Sequence, residues 1–130
     1  MAEARIYEGG CHCGAVRYRV TLALDPLISC NCSICSRTGA ILAFAPLERF
    51  ELLRGADALT DYQWGKKRIH HLFCSRCGVR SFSRGQGRSG EPTVAINVRC
   101  LDGVDAAAIS PKMFDGRNWE AALQGRVPWR

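Results

Sequence analysis

The sequence lacks any apolar run approaching the ~20 residues that a membrane-spanning helix needs. Its opening octet, Met1 to Glu8, holds no apolar core ahead of a cleavage site, so the expectation is a cytoplasmic protein without a membrane partner. Internal repeats, linkers and low-complexity tracts are missing too, which excludes fibrous and disordered classes. No Ser-His-Asp order, phosphate-cradling glycine loop or paired-carboxylate motif rises above chance, so the common hydrolase and nucleotide-binding signatures are absent. Acidic residues are nearly missing from one long stretch. Between Tyr62 and Cys100 stand Lys66, Lys67, Arg68, Arg76, Arg80, Arg84, Arg88 and Arg99 against Glu91 alone, a local charge of +7 in a chain of net +6. Such a stretch favours anionic partners: a carboxylate-bearing small molecule, a phosphate or a nucleic acid. Solvated strand faces would account for the same charges. Only Trp64, Phe73 and Phe82 lie among those cations and no groove-reading motif is present, which counts against nucleic acid.

What the chain does contain is an ordinary globular balance, 47% hydrophobic and 23% charged over 130 residues. That is a single domain, 1–130, long enough to bury roughly two-thirds of its unfolded surface. Period-two alternation dominates. Over 15–22, Val16, Tyr18, Val20 and Leu22 fall on one face of a strand and Arg17, Arg19 and Thr21 on the other. Ala40 to Ala45 is a continuous apolar run, which predicts a strand buried on both faces. Further strands are expected over 49–54, 58–64, 69–73, 79–84 and 93–100, parted by glycines and polar turns. Asn118 can cap a helix over Trp119 to Gln124 that Gly125 stops, and Asp105 to Ile109 suits a single turn. The expected fold is mainly β and antiparallel, with about seven or eight short strands and little helix.

Cysteine is the residue in excess, at eight. The proportion still lies below the ~8–10% of small disulfide scaffolds, and in a reducing compartment cysteines turn toward metal or redox chemistry. They read Cys11-His12-Cys13, Cys30-Asn31-Cys32-Ser33-Ile34-Cys35, Cys74-Ser75-Arg76-Cys77 and Cys100. Zinc takes about four such ligands at ~2.3 Å in a tetrahedron. Glycines beside the first and third clusters allow turns tight enough to aim both sulfurs inward. Cys11 and Cys13 paired with Cys74 and Cys77 make a closed four-thiolate site joining hairpins distant in sequence. Spacing alone leaves that pairing open, since the 30–35 cluster can also borrow Cys74 or Cys77.

The middle cluster differs in kind. Cys30, Cys32 and Cys35 supply three ligands with no fourth Cys, His, Asp or Glu near them, the composition of a catalytic zinc with one open position. Closure by Cys100 or a redox switch are the competing readings. Cys100 alternates with Val94, Ile96 and Val98, which points to a buried, inert thiol. His12 sits between two ligand candidates and is expected to point away. His70 and His71 are neighbours on a strand and face opposite sides. Either near a zinc can shuttle a proton, although hydrogen bonding at the surface or in the core is the ordinary role.

Gly9-Gly10-Cys11-His12-Cys13-Gly14-Ala15-Val16 resembles the opening motif of the glutathione-dependent formaldehyde-activating enzyme family, which includes centromere protein V. Cys30 to Cys35, Phe73-Cys74-Ser75-Arg76-Cys77-Gly78 and Ile96-Asn97-Val98-Arg99-Cys100-Leu101 are similar to its second, third and fourth motifs. The resemblance covers 7–115. It implies a β-tent fold of packed antiparallel sheets and up to two zinc ions. One would be structural, on Cys11, Cys13, Cys74 and Cys77. The other would be catalytic, on Cys30, Cys32 and Cys35, with an exchangeable fourth position. The implied activity joins formaldehyde to the thiol of glutathione and is classed as a carbon–sulfur lyase. Three cysteinates around zinc suit delivery of a soft thiolate better than splitting of water. Arg37, Arg76 and Arg99 are candidate anchors for substrate carboxylates. A non-catalytic zinc protein is the alternative, either a nucleic-acid module using the basic 62–100 segment or a thiol sensor.

Overall fold

The computed structural model describes residues 3–65, 67–87 and 89–118, and the helix expected over 119–124 lies outside them. Among the described residues ten strands form two sheets. The strands are β1 (Arg5–Gly10), β2 (Arg17–Leu22), β3 (Ile28–Cys30), β4 (Ile41–Pro46), β5 (Phe50–Arg54), β6 (Leu59–Tyr62), β7 (His70–Cys74), β8 (Phe82–Gln86), β9 (Pro92–Asn97) and β10 (Lys112–Phe114). The smaller sheet runs β1-β2-β5 and the larger β10-β3-β4-β9-β8-β7-β6. One turn of α-helix, α1 (Cys35–Thr38), follows β3. The fold is mainly β with little helix. Pairing is antiparallel throughout except for β10, which runs parallel to β3. Three strands exceed expectation for a local reason. β3 and β10 have three residues each, and β1 buries only its two terminal glycines, so none carries an alternating signal.

Alternation in β2 does what it promised: Val16, Tyr18 and Val20 are 0% exposed. They meet Ile41, Ala43 and Ala45 of β4 and Val94 and Ile96 of β9 in one core. The rings of Tyr18, Phe50 and Phe82, with centroids 4.7–5.6 Å apart, join the two sheets. Tyr18 keeps its hydroxyl satisfied by donating to the Ser81 carbonyl at 3.2 Å.

Two expectations need correction. The apolar run at 40–45 is not buried on both faces: Leu42 and Phe44 face away from the core, and Phe44 is 49% exposed. On that face Leu42 and Phe44 line a hollow. The strand expected to reach Cys100 ends at Asn97, where the Asn97 side chain accepts from the Arg99 amide and Val98–Cys100 turn into a 3-10 helix. The single turn near Asp105 does form, at Ala106–Ala108, with the Asp105 carboxylate capping the Ala107 amide at 2.9 Å. No described helix is long and apolar enough to cross a membrane.

Candidate metal centres and the cavity

The first centre lies where the two sheets meet. β1 delivers the chain to a tight turn holding Cys11 and Cys13, and β7 delivers it to a knuckle holding Cys74 and Cys77. At the root of that turn a side chain on Gly10 would fall 2.0 Å from the Val16 carbonyl oxygen. All four sulfurs lie within 4.8 Å of one another. The Cys11–Cys13 and Cys13–Cys74 separations are both 3.7 Å. A tetrahedron of ~2.3 Å metal–sulfur bonds has an edge of about 3.8 Å, so the donor set fits zinc. The amides of Val16 and Arg76 donate to the sulfurs of Cys11 and Cys74 at 3.3 Å. Backbone donors from Val79 and Cys13 bring the half-buried Cys77 thiol down to about 6. Amides aimed at sulfur favour thiolate, the form that binds metal.

The second centre is built by one short segment. Cys30 ends β3, Cys32 lies in the following turn and Cys35 opens α1, so the cluster is anchored at both ends rather than sitting on a free loop. Its three sulfurs also lie within 4.8 Å of one another. The Cys32 amide donates to the Cys30 sulfur and the Cys35 amide to the Cys32 sulfur, both at 3.4 Å. Among the three thiols, negative charge settles on Cys32: hydrogen bonds from Cys30 and Cys35 push its pKa down, while their own are pushed up. This cluster takes nothing from Cys74 or Cys77.

Two residues without a metal-ligand signature support it. Asn31 takes a hydrogen bond from the Arg117 amide at 3.1 Å and donates to Asp115 at 3.0 Å, tying the segment after β10 to the cysteine turn. A side chain at Gly116 would fall 2.3 Å from the Cys30 sulfur, so only glycine fits there. Asn31 stands inside a cysteine motif and was noticeable there; nothing in the sequence around Gly116 marks it.

The three cysteines open into a cavity of about 450 Å³ on the outer face of the large sheet. Its lining includes His71, Arg80 and Arg84. Arg37, Arg76 and Arg99, the anchors expected from sequence, are not in it. Arg37 donates to the Ser33 carbonyl, Arg99 to the Gly39 carbonyl, and Arg76 is exposed on the knuckle. Arg80 reaches the lining from the segment between β7 and β8, a position that sequence spacing cannot aim. His71 is buried and its Nδ1 accepts from Arg80 at 2.8 Å. An arginine only donates, so Nε2 carries the ring proton. Burial, then the Arg80 charge, lowers His71 to about 4 and keeps it neutral. His70 faces the other way onto Asp61 at 2.6 Å, and His12 is exposed. Cys100 belongs to neither cluster; partly buried, it is pushed up to about 11 mainly by desolvation.

Fold and sites define a class: a β-sheet protein with one closed group of four cysteines and one group of three that opens into a cavity. The family model of the glutathione-dependent formaldehyde-activating enzymes matches residues 6–119, and the chain belongs to that family. A Halomonas elongata protein, named provisionally as a glutathione-dependent formaldehyde-activating enzyme, is 35% identical over 81 residues. The match covers 55% of this chain and 52% of the relative, so it spans about half the length of that protein. The crystal structure of a Rhodobacter sphaeroides protein is similar with a TM-score of 0.74 at 38% identity, covering 82% of this chain and 97% of that one.

Proposed function

We propose that this protein is a zinc-dependent carbon–sulfur lyase that joins and parts an aldehyde and a small anionic thiol of the glutathione class. One observation carries the reading: the sulfurs of Cys30, Cys32 and Cys35 gather at the wall of an open cavity, whereas the four-cysteine group does not line it. Zinc held there would supply a soft Lewis acid with one exchangeable position, suited to a thiolate.

The chain's own residues supply the rest. In the cleaving direction the adduct's carbon–sulfur bond breaks with its electron pair going to sulfur. The hydroxyl proton leaves to solvent as the carbonyl forms, and synthesis is the reverse. His71, held by Arg80, presents Nε2–H to the adduct oxygen and steadies its charge as the bond order changes. Arg80 also reaches Thr38 at 3.4 Å, tying this histidine's support to the helix that Cys35 begins. Arg80, in the cavity lining, is the guanidinium assigned to a carboxylate of the thiol.

The test is Cys32→Ser. It is expected to leave the melting temperature and the four-thiolate zinc unchanged, because those draw on other residues, and to abolish aldehyde release from glutathione adducts. A wild type showing neither turnover of any adduct nor thiol binding at the three-cysteine group would end the enzyme reading.

A further inference from the structure

Formaldehyde would leave most of this cavity unfilled. Its adduct adds only a carbon and an oxygen to the thiol, and glutathione itself is polar along its length. The walls are of another character: Ile28, Leu42, Phe44, Trp64, Ile69 and Phe114 all line the space. Phe44 is 49% and Trp64 36% exposed, so large apolar side chains face a space beside the reactive cysteines without covering one another.

The strand register shows how the hollow is made. Phe44 pairs with Ala95, Ala95 with Ser83, and Ser83 with His71, so one row crosses four strands from β4 to β7. Three strand spacings make that row about 14 Å wide. Its ends are large and its middle is small, which leaves a trough between Phe44 and His71. On the opposite face the neighbouring row, Ala43, Ile96, Phe82 and Leu72, fills the core. Along the sheet Gly85 continues the trough toward Ile69, whose Cγ1 would lie 3.4 Å from a side chain at that glycine. Arg80, which holds His71 and reaches Thr38, lines the cavity near α1, and the apolar interior is left to the other half of the adduct.

We propose that this other half is a bulky apolar aldehyde, alkyl or aryl, so that the substrate is the thiohemiacetal of such an aldehyde with a small anionic thiol. The inference rests on the lyase reading and names its substrate class. The step balances as before: R–CH(OH)–S–R′ gives R–CHO and R′–SH, with no oxidant or reductant required.

The test uses the zinc-loaded full chain in two arms. Calorimetric titration compares S-hexylglutathione with S-methylglutathione, stable thioethers that differ only in apolar length. The hexyl compound is expected to bind at least about tenfold more tightly, from burial of its extra methylenes. Kinetics then compares the glutathione adducts of formaldehyde, hexanal and benzaldehyde, where kcat/KM is expected to rise at least about tenfold from the first to the others. Ala95→Leu, which fills the trough, should bring the hexyl-to-methyl affinity ratio close to one. Phe44→Gln, at an exposed position, should lower the same ratio if the first variant fails to fold. Equal affinity for the two thioethers, or a formaldehyde adduct turned over at least as efficiently as the hexanal adduct, would overturn this inference alone. Absence of turnover with every adduct would overturn the lyase reading and this assignment with it.

Discussion

A methyl group at position 116 would fall 2.3 Å from the Cys30 sulfur and 3.0 Å from the Cys32 Cβ, closer than either atom can tolerate. Gly116→Ala is therefore expected to displace Cys30 and lose metal from the three-cysteine group while the four-cysteine group keeps its own. Elemental analysis of the variant beside the wild type reads this directly, and two retained ions would contradict it. His71 makes a pH prediction. Unfolded, the imidazole takes a proton near 6.5; folded, burial and Arg80 hold it neutral down to about 4. The unfolded state thus binds more protons between those values. His71 adds stability that is fully present above about 6.5, declines as pH falls toward 4, and falls no further below it. Ring chemical shifts followed by NMR should show a neutral His71 at pH 5.5, and titration near 6.5 would show that its packing against Arg80 is wrong.

Among the elements, the knuckle after β7 matters most to folding. Its cysteines meet those of the turn after β1, which belongs to the other sheet, at a separation of 61 residues for Cys13 and Cys74. Metal at this junction would clamp sheet to sheet, and binding of this kind contributes about 10–16 kcal/mol to folding in small zinc domains. Cys77→Ser is expected to melt far below the wild type or to fail to fold. Cys100→Ser is the control: roughly 1–3 kcal/mol for a polar group in a partly buried place, with metal content unchanged. Loss of a metal equivalent from Cys100→Ser would place that sulfur in a centre after all.

For the whole molecule, the two centres should differ in how firmly they hold zinc. The four-cysteine group offers a full set of four ligands that join the two sheets, whereas the three-cysteine group offers three and faces a cavity. Stepwise chelation of the loaded protein is expected to remove one ion first without unfolding, then the second together with loss of structure. Circular dichroism and a colorimetric zinc indicator recorded together separate the two stages. A single concerted release would show that the centres are not independent.

Local patterns carried a good deal of this protein into its sequence. Alternation over 15–22 marked β2 because a half-buried strand has period two, and the paired cysteines marked both hooks because ligands two or three residues apart can share an ion. The family motifs were legible for the same reason: they are contiguous. The cavity was not. Leu42 and Phe44 looked like core in an unbroken apolar run, and only the assembled sheets show them lining a cavity instead. His71 and Arg80 meet across nine positions, Arg80 reaches Thr38 across 42, and Arg117 meets Asn31 across 86. Sequence by itself determined which residues can ligate metal, which strands alternate and which family the chain resembles, because each depends on neighbours a few positions apart. Which hooks meet, which side chains of β4 line the cavity and which cations join the three cysteines there were decided by contacts between segments far apart in the chain, a property that exists only once the sheets are assembled.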